Sequence, residues 1–104
     1  MKRTIITTAL FSVLSMSAQA DVLELAKEKE CMSCHAIDKE MPKAPSFKDI
    51  ANKYSDRFQV MLEHKVMSGG VGHWGSAPMP GVGARPAVSE DEATQLVAWI
   101  LSLD

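Results

Sequence analysis

Cys31, Cys34 and His35 stand together in the pentapeptide CMSCH, and no other cysteine occurs in the chain. Two thiols three residues apart allow three chemistries: a redox or structural disulfide, part of a zinc site, or a covalent haem anchor. A thioredoxin-like C-x-x-C needs a strand before it, and no strand pattern precedes Cys31. A plain disulfide is compatible with an exported protein, but it would close only a tiny loop. A zinc site needs four ligands, and there is no second cysteine pair; His64 and His73 are too isolated to complete one. The haem anchor uses Cys31, Cys34 and His35 together. Each thiol can add to one vinyl group, and residues i and i+3 present both sulfurs on one side of a helical turn. His35, at i+4 from Cys31, can then turn its imidazole under the iron.

A haem held in this way calls for a second axial ligand downstream. Met41, Met61, Met67, Met79, His64 and His73 are the candidates. Met61, Met67 and His64 fall on a predicted helix, where methionine commonly fills core gaps. Met79 sits in APMPG, between Pro78 and Pro80. Two prolines stiffen the backbone on either side of it and present one side chain reproducibly. Met79 is therefore the expected ligand.

Helices must position these residues. Residues 21–30 carry Val22, Leu25 and Ala26 on one helical face and run into the motif. Pro42 and Pro45 keep the next stretch in a loop. Ser46, with Asp49 three residues on, opens a second helix. A third is expected to begin at Ser55 and to end at Gly69–Gly70. In the last, Ser89 and Glu92 form a capping box, and Ala93, Leu96, Val97, Ile100 and Leu101 make an apolar stripe. The fold class is all-α. Between the third and fourth helices all six glycines lie from Gly69 to Gly83. A loop of roughly 20 residues in a small domain is usually functional, and glycines allow backbone to approach a flat partner closely.

The N-terminus reads as a secretory signal. Lys2 and Arg3 precede an apolar run, and Ala18 and Ala20 form an A-x-A site, so 1–20 is the expected leader and 21–104 the mature domain. Removing Lys2 and Arg3 leaves nine basic residues against 13 acidic ones, a net charge of −4. That balance, with no basic run, argues against nucleic-acid binding. A chain this small and poor in aromatic residues has a marginal core, which a large apolar cofactor would supplement.

CMSCHAID, SFKDIANKY, HWGSAPMPG, SEDEA and AWILSL occur in an order and spacing that resemble the short bacterial class I monohaem cytochromes c, of the c-551 (c8) type, over the whole mature chain. The resemblance implies a small cytochrome c fold, about four helices around one covalently bound haem c. It implies Cys31 and Cys34 as thioether anchors and His35 and Met79 as axial ligands. It also implies that Pro45, rather than Pro42, accepts the His35 N–H. Trp74 and Lys65 would lie near the haem propionates, and Trp99 in the core. Two departures stand out: the loop before Pro45 is one residue longer, and PGVGARPAV after Met79 is longer and lacks the asparagine that often bonds the methionine sulfur.

With both axial positions filled, the iron has no vacancy for substrate, which points to a non-enzymatic one-electron carrier. The resemblance implies a periplasmic monomer in a respiratory chain. Its transient partners would be a quinol-oxidising complex as donor and a terminal oxidase or nitrite reductase as acceptor. A small-molecule sensor or enzyme accessory in which Met79 dissociates, and a haem-free thiol–disulfide module, are the alternatives.

Overall fold

A computed structural model describes residues 20–71, 78–81 and 83–103. Residues 1–19 of the expected leader, His73 and Trp74 lie outside the described residues. Among those described there are four α-helices and no strand; isolated bridges pair Met41 with Ala44 and Gly70 with Met79, and Arg85 also lies in a bridge. Helix α1 covers 20–28, α2 Phe47–Lys53, α3 Gln59–Ser68 and α4 Glu90–Leu101. None of them is long and apolar enough to cross a membrane.

Helix α4 follows its sequence closely. The Ser89 hydroxyl accepts from the Glu92 N–H (3.1 Å), and the Glu92 carboxylate accepts from the Ser89 N–H (2.9 Å). Two of the four N–H groups that a helix start leaves unpaired are thereby satisfied. Ala93, Leu96, Val97 and Ile100 are buried along one stripe. Ala26 of α1 and Ala93 of α4 are fully buried in one cluster with Leu96 and Val88, and Val22, Leu25, Met32 and Cys31 pack around it. Burying a Leu- or Val-sized side chain contributes about 1.5–3 kcal/mol, so this α1–α4 seam is the stable part of the domain. Cys31 is attached directly to it.

Two helix ends differ from the sequence reading. Helix α1 stops at 28 rather than continuing into the motif. Glu30 adopts a left-handed conformation, φ 65°, and the chain re-enters a 3₁₀ turn at Cys31–Ser33. Residues i and i+3 eclipse in such a turn, so the two thiols keep a common side. Ser55 does not cap α3 with its side chain. Its carbonyl instead accepts the Phe58 N–H (2.9 Å) in a second 3₁₀ turn, Asp56–Phe58, and α3 starts only at Gln59. The expected cap at α2 is present: Ser46 Oγ accepts from the Asp49 N–H at 3.0 Å.

Candidate cofactor site

The CMSCH segment is held on three sides. The His35 N–H reaches the Cys31 carbonyl (3.0 Å), which closes a helical turn over the motif. Behind it, Phe47 and Lys48 at the start of α2 donate to the carbonyls of Ala36 and Ile37 (2.8 and 2.9 Å). The Ser46 cap thus fixes not only α2 but also the exit of the motif. Third, the His35 ring stacks on Phe47 (centroids 5.0 Å apart, planes 26° from parallel), and Phe47 meets Trp99 of α4 edge-on at 5.6 Å. Phe47 is buried. A continuous aromatic path therefore sets the imidazole against the core.

His35 Nδ1 lies 2.8 Å from the Pro45 carbonyl oxygen. A carbonyl only accepts, so Nδ1 carries the hydrogen, and the lone pair of the neutral ring is on Nε2. Burial pushes the imidazole pKa down, and the Pro45 bond partly opposes it. A neutral ring oriented by a backbone carbonyl is the form in which histidine binds a metal. Between the two prolines of this loop, the hydrogen bond goes to Pro45.

Cys31, Cys34 and His35 line a cavity of about 600 Å³, together with Pro45, Leu62, Lys65, Val66, Met79 and Arg85. Both thiols are free and half-buried. Burial raises the Cys31 pKa, and the Arg85 charge opposes that rise. Met79 is the only one of the candidate methionines to line this cavity. Met67 packs against the α1–α4 cluster, His64 is exposed, and neither Met41 nor Met61 borders the cavity. Met79 is set in place by its own backbone: its N–H donates to the Gly70 carbonyl (2.8 Å), and its carbonyl accepts the Gly70 N–H (3.0 Å). Gly69, with φ 76°, lets α3 stop there. A Cβ at Gly69 would lie 2.8 Å from Pro80 C and Gly81 N, so glycine is what allows the two segments to touch.

Lys65, at the inner face of α3, lays its ammonium over Gly70 at the cavity edge. Arg85 was not singled out by sequence reasoning. Its Nε donates to the Pro80 carbonyl at 2.8 Å and its Nη2 to the Val66 carbonyl. An arginine in GARP, among glycines and prolines, was the available signal; its partner on α3 is 19 residues away and could not be read locally.

The residues present fit a large flat cofactor. The cavity has the volume and lining of a cofactor pocket, two thiols on one wall and an oriented neutral imidazole. A thioether stands at Met79. Residues 20–104 match the family model for cytochrome c. The chain is 43% identical over 82 residues to cytochrome c-552 of Hydrogenobacter thermophilus, covering 77% of this chain and 79% of that protein. It is 39% identical over 94 residues to cytochrome c-551 of Pseudomonas aeruginosa, covering 88% and 86%. The crystal structure of Nitrosomonas europaea cytochrome c552 superposes with a TM-score of 0.69 at 38% identity, over 79% of this chain and 99% of that one.

Proposed function

The chain belongs to the cytochrome c family, with one covalently bound haem c and the task of a small haem-containing electron carrier, and from that premise we propose that its iron is closed by His35 and Met79 and exchanges electrons in the periplasm. When bound, the haem supplies a one-electron ferric–ferrous couple. In this reading Cys31 and Cys34 hold it through thioether bonds. Cys31 packs against the α1–α4 core, so the attachment edge would be anchored to the buried part of the domain. His35 offers the Nε2 lone pair, with Pro45 and Phe47 fixing its tautomer and plane. Met79, on the same cavity, would supply the second protein ligand. Its soft thioether favours the ferrous state and raises the potential.

The observation that carries this reading is the placement of Cys31, Cys34, His35 and Met79 around one cavity, although Met79 is 44 residues from His35 in the chain. A site filled on both sides by protein excludes substrate and water from the metal. Ligands that stay put on oxidation and reduction keep the reorganisation small. The expected signal peptide, 1–20, supports export. Lys65, at the cavity edge, supports a role beside a propionate, and Trp74 is proposed for the same role from its sequence position. The partners proposed are transient redox proteins: a quinol-oxidising complex as donor, and a terminal oxidase or nitrite reductase as acceptor. They would meet the monomer through a small interface of the weak redox class.

Ferric haem with a thioether ligand shows a weak far-red sulfur-to-iron band. That band is expected in the wild type and absent from Met79→Ala, while the covalent attachment is unchanged by mass. A band that survives Met79→Ala would place another methionine on the iron.

A further inference from the structure

The end of α3 contains a conflict that Arg85 resolves. In a regular helix the Val66 carbonyl would accept the N–H of residue 70. That N–H is committed elsewhere, since Gly70 donates to the Met79 carbonyl at 3.0 Å. Seating Met79 therefore leaves the Val66 carbonyl as one of the unpaired acceptors of a helix C-terminus. Arg85 Nη2 donates to that oxygen, and the negative end of the helix favours the cation there. The same guanidinium holds the Pro80 carbonyl through Nε at 2.8 Å, one residue beyond Met79. Past Pro80, which has no N–H to donate, the chain turns back: the Ala84 N–H donates to the Gly81 carbonyl at 3.3 Å and Gly83 takes φ 99°, which brings Arg85 within reach of the Pro80 carbonyl.

We propose that Arg85 is a positioning residue for Met79, one that sets how often Met79 leaves the iron. The proposal rests on the reading of Met79 as axial ligand. Two backbone arrangements compete for the Gly70 N–H. In one it pairs with Met79 and the ligand is seated; in the other it returns to Val66, α3 gains a residue, and the Met79 segment is released. Arg85 favours the first, because it supplies the Val66 carbonyl with a donor and ties the Pro80 carbonyl to the same side chain. Loss of Arg85 should shift this balance while the rest of the fold stays as it is.

Carbon monoxide binding to the ferrous holoprotein reads the balance, because the gas reaches the iron only when Met79 is off. In Arg85→Ala, which removes both of its hydrogen bonds, the binding rate should rise at least about tenfold, the factor expected for the loss of one charge-assisted hydrogen bond. Arg85→Lys, which keeps the charge but loses the two-pronged geometry, should fall between Arg85→Ala and the wild type. Leu96→Ala serves as the control for general loosening, since it empties a core position in the cluster against which Val66 and Met67 of α3 pack but leaves Arg85 and both of its acceptors in place. If Arg85→Ala does not accumulate as holoprotein, Arg85→Lys carries the test alone, with a rise of about threefold for a weakened rather than lost bond. A rate in the Arg85 variants equal to that of the wild type, or raised no further than in Leu96→Ala, overturns the role of Arg85 and leaves the axial assignment intact. A wild type with no far-red band overturns the axial assignment, and the Arg85 role with it.

Discussion

Helices α4 and α3 are built in opposite ways. Helix α4 opens with a reciprocal cap and buries four of its side chains; α3 opens without a side-chain cap and buries none. The difference follows from what each faces. Helix α4 meets α1 in one buried cluster, with Ala26 of α1 and Ala93 and Leu96 of α4 in it. The inner residues of α3, Leu62, Lys65 and Val66, face the cavity. One half of the domain is completed by its own side chains, and the other is completed by the cofactor. Cys31 and Val66 join the two, since each packs on the first and lines the second.

Substitutions on the two sides should therefore separate stability from ligation. The largest effect is expected from Leu96→Ala, which empties a fully buried position. It should cost about 3 kcal/mol in denaturant unfolding and leave the far-red band in place. A lost band with stability unchanged would mean that the core and the site are not the separate halves described. Gly69→Ala acts on the other side. It forces a β-carbon into a left-handed position and against Pro80 and Gly81, at a cost of about 1–2 kcal/mol. Here the band should weaken and carbon monoxide binding should speed up. Unaltered ligation in Gly69→Ala would show that the contact between α3 and the Met79 segment does not hold the ligand.

The smallest effect belongs to Glu92. The Ser89 N–H, aided by Lys29 at 3.3 Å, holds its carboxyl below the ordinary value of 4.5, against a smaller desolvation effect. A depressed carboxylate stabilises the fold above the unfolded-state value and loses that contribution as pH falls through the folded one. Glu92→Gln keeps the geometry of the capping box but removes the titration. The wild type should exceed it in stability at neutral pH, and the gap should close as the solution is acidified below about 4.5. A gap constant from neutral to acid pH would show that the cap, not the charge, was lost.

Features written in short stretches of chain were legible in the sequence. The CMSCH spacing, the Ser46 and Ser89 caps, the glycine stop at the end of α3 and the proline-flanked Met79 each depend on residues within a few positions. Pro45 against Pro42 was open from residue chemistry alone, because the choice depends on how the loop folds back to His35; the family resemblance favoured Pro45. Ser55 misled because a Ser before an apolar run has the form of a cap, whereas the backbone there closes a 3₁₀ turn through the Ser55 carbonyl. Arg85 was missed for a different reason. Its partners are backbone oxygens, which leave no trace in composition, and one of them is freed only because Met79 captures the Gly70 N–H.

The central claim is that the cavity side is closed by Met79 on the iron. It can be tested in one proton NMR experiment on ferrous holoprotein labelled at its methionine methyl groups. A methyl group bound above the haem plane lies in the ring current and is carried far upfield of the others. One such resonance is expected in the wild type, and it should be lost in Met79→Ala. An upfield methyl that persists in Met79→Ala, or one absent from the wild type, would contradict it.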